Sequence, residues 1–196
     1  MLNFVISNLN TNFNMLNYFI IPGLGGSPSN HWQTYFEMTQ KNFQRIIQKD
    51  WDLPNIEEWI EKIDTEISEY DPETLVLVAH SLGCLTVAEW AKRYKRKIKG
   101  ALLVAPPDAE VLHQKLGKKL FKEIPIDKIE FNTILVASTT DQYSSLEKSK
   151  LYAEKWGSVF INIGDAGHIN HLSGFGKWDQ GLKILRMISE PKILNK

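Results

Sequence analysis

Residues 74–93 read TLVLVAHSLGCLTVAEWAKR, and few folds accommodate them. Leu75 to Ala79 is an unbroken apolar run of strand length, the pattern of a strand buried on both faces. From Leu82 the period becomes helical, with Leu82, Leu85, Val87, Ala88 and Ala91 set among polar residues. Only His80 and Ser81 separate the two, and no turn residue precedes the serine. A strand that turns straight into a helix forces its corner residue into a strained backbone conformation. Neighbouring backbone approaches closely two residues before and two after the corner, where Ala79 and Gly83 stand. Such a corner pushes the Ser81 hydroxyl outward at the carboxyl edge of a sheet. The following helix aims its first amides at the same place, where they favour negative charge. The competing reading makes Ser81 a simple helix N-cap.

The rest of the chain fits that sheet. Short apolar runs at 18–21, 101–104, 133–137 and 159–163 read as further buried strands, with a weaker one at 44–48. Helical patterns fall between them at 31–41, 57–70, 82–94, 145–156 and 177–189, with Asn55 and Ser144 as caps. Strand–helix alternation predicts an α/β fold: a doubly wound, three-layer sandwich of about six parallel strands. Residues 106–125 are more irregular and read as a small cap or a surface helix. No repeat or linker divides the chain, so residues 15–196 are expected to form one domain. Residues 1–14 read as an N-terminal extension whose order the sequence leaves open.

Composition narrows the function classes. The 196 residues carry 23 basic and 23 acidic side chains, and this balance argues against nucleic acid or an anionic membrane as partner. The basic run from Lys92 to Lys99 reads as a solvated helix end, where cations complement the dipole. The single cysteine, Cys84, excludes an internal disulfide and reads as a small buried residue. The first residues lack a basic region and an apolar core, and no apolar run approaches 18 residues. A cytoplasmic location is expected.

A serine is a weak nucleophile without a base, and the base needs an orienting acid. On a strand–corner–helix frame these follow in the order Ser…Asp/Glu…His at later strand ends. The run 133–137 leads into Asp141, and the run 159–163 leads into Gly164-Asp165-Ala166-Gly167-His168. Ser81, Asp141 and His168 are therefore the candidate catalytic residues. His171 competes with His168, which is favoured because Gly164 and Gly167 shape a tight loop able to project it. Asp108 and Asp165 compete with Asp141. His31 and His113 lie on a helix and in the irregular segment. The first strand ends in Pro22-Gly23-Leu24-Gly25-Gly26-Ser27, which matches neither the dinucleotide nor the phosphate-loop pattern. In this context the loop supplies a backbone N–H to an oxyanion; by position the donors are Leu24 and Leu82. Gly23, Trp51 and His80 are candidate pocket residues. The six tryptophans otherwise read as core or groove fillers.

These residues resemble the small α/β-hydrolases of the retinoblastoma-binding-protein-9 and YdeN type. The likeness spans residues 15–188. It rests on Pro22-Gly23 with Asn30-His31-Trp32, Asp50-Trp51-Asp52-Leu53-Pro54 with Trp59, and the corner at 79–83. It continues through Val104-Ala105-Pro106, Ser138 with Asp141, Trp156-Gly157 and residues 164–170. The resemblance implies an α/β-hydrolase fold with little or no lid and a Ser81–His168–Asp141 triad. With so little lid the site should be open and favour a small or exposed acyl substrate, and the triad mechanism needs no metal or cofactor. Hydrolysis of a small carboxylic ester, or of a related thioester or amide, through an acyl-enzyme is the expected reaction. The alternatives are an aminopeptidase or acyltransferase using the same triad, and a hydrolase fold kept as a protein-binding module.

Overall fold

The computed structural model describes residues 16–189; the extension at 1–14 lies outside them. Six strands form one parallel sheet in the order β2-β1-β3-β4-β5-β6. They are β1 (Asn17–Ile21), β2 (Phe43–Arg45), β3 (Leu75–His80), β4 (Gly100–Val104), β5 (Asn132–Ala137) and β6 (Val159–Asn162). The helices are α1 (Trp32–Thr39), α2 (Ile56–Ile67), α3 (Leu82–Tyr94), α4 (Ala109–Leu116), α5 (Leu146–Trp156) and α6 (Asp179–Arg186).

Alternation along each strand divides the core in two. Phe19, Ile21, Leu75, Leu77, Ala79, Leu103 and Leu135 point to one face, where they meet α2, α3, α4 and α5. Tyr18, Ile20, Val76, Val78, Leu102, Val104 and Val136 point to the other, where they meet Trp32 and Phe36 of α1 and Ile184 and Leu185 of α6. Three layers result, because a central parallel sheet must be covered on both sides. Helix α2 shows the helical counterpart. Ile56, Ile60, Ile63 and Ile67 recur every three or four residues, and all are buried. Each such side chain stabilises the fold by about 1.5–3 kcal/mol relative to exposure.

The structure corrects several local expectations. The strand at 159–163 is an edge strand, and Val159 is 52% exposed, because only β5 pairs with it. The weak strand shifts to Phe43–Arg45. Asn55 does cap α2, accepting from the Glu57 amide at 3.2 Å. Ser145, not Ser144, caps α5, accepting from the Lys148 amide. The Ser144 hydroxyl turns inward to Ser149 instead. The irregular segment holds α4, which buries Ala109 and Leu112. The basic run is the end of α3 and its exit, where Lys92 meets Asp127, Arg93 meets Glu57 and Arg96 meets Asp64. Among the described residues no helix is long and apolar enough to cross a membrane.

The chain lays β2 on one side of β1 and β3 on the other, so the order reverses between β1 and β3. Open α/β sheets form their ligand crevice at such a switch point, beyond the carboxyl strand ends. The glycine loop after β1 and the corner after β3 meet there.

Candidate active site

Ser81 occupies that corner with φ 54° and ψ −127°, a conformation L-residues avoid. Its amide donates to the Val104 carbonyl at 3.0 Å, so the β3–β4 ladder runs into the corner and fixes it. Its hydroxyl makes no capping bond to α3, which rules out the N-cap reading. Small neighbours are obligatory. A Cβ on Gly83 would overlap the Ile21 carbonyl oxygen and lie 2.8 Å from that of Pro22. A Cβ on Gly23 would lie 2.8 Å from Ser81 Cβ and 3.0 Å from the Leu82 nitrogen. The first loop is thus pressed against the corner, and Leu24 follows as the start of a short 3-10 turn. Arg45 of β2 holds this loop by donating to the Gly26 and Ser27 carbonyls, while Glu37 neutralises it at 3.0 Å.

The other two predicted residues arrive from far along the chain. His168 Nε2 lies 2.8 Å from Ser81 Oγ. His168 Nδ1 lies 2.8 Å from Asp141 Oδ2 and 3.0 Å from Oδ1. An ionised carboxylate only accepts, so Nδ1 carries the imidazole proton and Nε2 is left to accept from the serine hydroxyl. Both side chains are almost wholly buried. Their loops are stitched together. Ser138 Oγ accepts from the Thr140 and Ala166 amides, and Thr140 Oγ1 accepts from the Gly167 amide. Gly167, at φ 51°, sits where a side chain would strike Ser173. Ser173 Oγ in turn accepts from the His168 amide. Trp32 Nε1 donates to the Ile169 carbonyl at 2.9 Å, tying α1 to the same loop.

The competing residues are engaged elsewhere. Asp108 caps α4 and pairs with Lys148 at 3.0 Å. Asp165 accepts from Thr139 Oγ1. His113 is buried near Phe121. Cys84 is buried as expected, and burial pushes its thiol well above the usual range.

A cleft of about 160 Å3 opens above Ser81. Leu24, His31, His80, His168 and His171 line one part of it, and Pro107, Leu112, Lys115 and Tyr143 another. Of the candidate pocket residues, His80 lines the cleft, and its Nε2 donates to the His168 carbonyl at 2.9 Å. Desolvation holds His80 far below the ordinary histidine pKa, so it stays neutral. Gly23 lies behind the serine and lends closeness, not lining. Trp51 is not a lining residue: its ring packs under Gly26 and against Trp59, and its carbonyl accepts from the Gly25 amide. It buttresses the loop from below.

Sequence reasoning missed Tyr143 and Lys115. The Tyr143 ring packs edge-on against His168 at 4.6 Å, and Lys115 Nζ donates to its hydroxyl at 2.9 Å. The position of Tyr143 two residues after Asp141 was a usable signal, since its amide donates to Asp141 Oδ1. Nothing local pointed to Lys115. Among the described residues no group of three or more His, Cys, Asp or Glu is placed to hold a metal ion.

Residues 18–187 match the family model described as serine hydrolase. A YdeN-like hydrolase from Pectobacterium atrosepticum is similar at 30% identity and a TM-score of 0.82, covering 92% of this chain and 94% of that one. The ydeN gene product of B. subtilis shares the fold at 19% identity and a TM-score of 0.75, over 88% and 98% of the chains. A monoacylglycerol lipase from Paleococcus ferrophilus shares it at 20% identity and a TM-score of 0.61, over 88% and 91%. Comparison of the sequence with curated proteins finds no match. The chain has an α/β-hydrolase fold and belongs to the serine hydrolase family, within the retinoblastoma-binding-protein-9 and YdeN type that its motifs resemble.

Proposed function

We propose that this protein hydrolyses a small carboxylic ester through a Ser81 acyl-enzyme. The observation that carries the reading is the unbroken line from Ser81 Oγ to His168 Nε2, and from Nδ1 to Asp141, at 2.8 Å for each link. His168 takes the Ser81 proton as Oγ attacks the ester carbonyl, and the C–O π electrons move to the oxygen. The Leu24 and Leu82 amides stabilise that oxyanion; each such donor contributes about 3 kcal/mol in the transition state. Collapse of the intermediate expels the alcohol, which leaves with the proton from His168. Asp141 keeps the imidazole in the correct tautomer and stabilises the imidazolium. Water, activated by His168 in the same way, then releases the acid and restores Ser81.

The cleft supports the substrate size. Its 160 Å3 is well below the roughly 300–1,000 Å3 of drug-sized ligand sites. Short acyl esters are expected to outpace long ones. The test is labelling with a fluorophosphonate probe, read by intact mass and peptide mapping, on wild type and Ser81→Ala. An adduct on Ser81 in the wild type, absent from the variant, supports an activated nucleophile. Folded wild-type protein that takes no adduct would overturn the reading.

A further inference from the structure

Among the described residues, the lining of the cleft above Ser81 holds one lysine and no carboxylate. That lysine, Lys115, stands in the last turn of α4. A cation there complements the helix dipole, but the dipole does not dictate where its ammonium is held. Lys115 Nζ donates to the Tyr143 hydroxyl at 2.9 Å and lies 4.4 Å from the centre of that ring. The ring is itself fixed: it packs on His168 at 4.6 Å, and the Tyr143 amide donates to Asp141. The ammonium is thereby placed at the wall of the catalytic cleft. Among the described residues no carboxylate pairs with it. Asp108, just before α4, is taken by Lys148 at 3.0 Å, and Asp141 is buried against His168. An ammonium carries three donors, and this one spends a single donor on Tyr143. The Tyr143 hydroxyl accepts that bond, and its own proton has no acceptor among the described residues. Neither group is walled in. Lys115 is exposed, Tyr143 is half-buried, and both line the same open cleft as Ser81.

We infer that Lys115 and Tyr143 form a subsite for a carboxylate carried by the substrate. The carboxylate accepts from a free Lys115 N–H and from the Tyr143 O–H, both charge-assisted bonds. One lysine matches one negative charge, and a lining without acids does not oppose it. A neutral group of the same shape gains no such pairing. The cleft is only about 160 Å3, so a short substrate seated on Ser81 also meets this wall. The substrate class is then a short ester that bears a carboxylate on either its acyl or its alcohol part. The inference rests on the ester-hydrolase reading above.

Two matched pairs test it: monoethyl succinate against ethyl 3-carbamoylpropanoate, and carboxymethyl butyrate against carbamoylmethyl butyrate. Each pair exchanges a carboxylate for the neutral carboxamide of the same shape, on the acyl side in the first and the alcohol side in the second. The readout is the ratio of kcat/KM within a pair, normalised to alkaline hydrolysis. Wild type should favour the carboxylate in at least one pair by about fivefold. That preference should shrink as salt is added, because salt screens an exposed charge. Lys115→Met keeps an unbranched side chain without the charge and should abolish the preference. Lys115→Arg should retain most of it, and Lys115→Glu should reverse it. Tyr143→Phe keeps a ring to pack on His168 and should lose part of it. No carboxylate preference in wild type for either pair, or a preference unchanged in Lys115→Met, would overturn the subsite. Fluorophosphonate labelling of Ser81 is read alongside. Labelling without the carboxylate preference sinks the subsite alone, while no labelling sinks the hydrolase reading with it.

Discussion

Two corners of the sheet share a positive φ and differ in what they display. Ser81 follows β3 at φ 54°, and Ala105 follows the adjacent β4 at φ 51°. Both amides extend the ladder by one bond, Ser81 to the Val104 carbonyl and Ala105 to that of Val136. Both therefore hold a positive φ, which non-glycine residues avoid, enforced by their neighbours. Ser81 leads straight into α3 and lines the open cleft. Ala105 is 1% exposed and leads into Pro106-Pro107 before Asp108 caps α4. Strain alone is thus no mark of chemistry. What separates the corners is the side chain, the helix that starts at once, and the histidine that reaches only one of them.

That contrast can be broken from the Ser81 side or sharpened from the Ala105 side. The largest effect is expected from Asp141→Asn, which should leave the fold intact by circular dichroism and lower kcat by on the order of 10⁴-fold. Near-normal turnover would remove Asp141 from its proposed role. Next is Gly83→Ala. Its methyl group meets the Ile21 and Pro22 carbonyls, backbone that cannot rotate away. A loss of ~2 kcal/mol in urea unfolding is expected, with lower activity as the corner shifts. Unchanged stability would mean the loop and corner are less tightly pressed together.

A smaller effect concerns pH. His31 titrates near 6.5 when unfolded and near 3 in the fold, chiefly through desolvation. Between those values the unfolded chain binds the extra proton, so stability rises with pH across this window and falls as acid is added. Urea midpoints at pH 7 and pH 4 should fall further apart in wild type than in His31→Asn. An equal drop in both proteins would remove His31 as a source. The smallest effect is expected from Ala105→Gly. Relief of the left-handed strain, about 1 kcal/mol, is largely offset by the freedom glycine adds to the unfolded chain. Stability should move by under ~1 kcal/mol, with kcat unchanged. A large loss of activity would show that the second corner also shapes the site.

Much of the site was legible because its signals are local. The change from strand to helical period around Ser81, the small residues at 79 and 83, and the glycines around His168 each lie within a few residues of the atom they position. Choosing Asp141 over Asp108 and Asp165 was harder, since all three are loop acids near strand ends. The choice needed the contact with His168, 27 residues away. Trp51 was misread because a tryptophan after a strand end fits a pocket wall and a loop support equally well; only its packing under Gly26 separates them. Tyr143, Lys115 and Arg45 gain their roles from neighbours on other elements, and a single chain position carries no record of those.

By itself, then, the sequence determined the alternation of strands and helices, the corner at Ser81 and the chain order of nucleophile, acid and base. Periodicity and steric limits act over a few residues and leave their trace in residue types. Only the tertiary structure decided the strand order and its switch point, which acid meets His168 and what fills each wall of the cleft. It also decided that Lys115 and Tyr143 meet at the cleft. Those outcomes come from packing between segments as distant in sequence as Trp32 and Trp178, where burial removes water as a partner and makes each remaining polar contact matter.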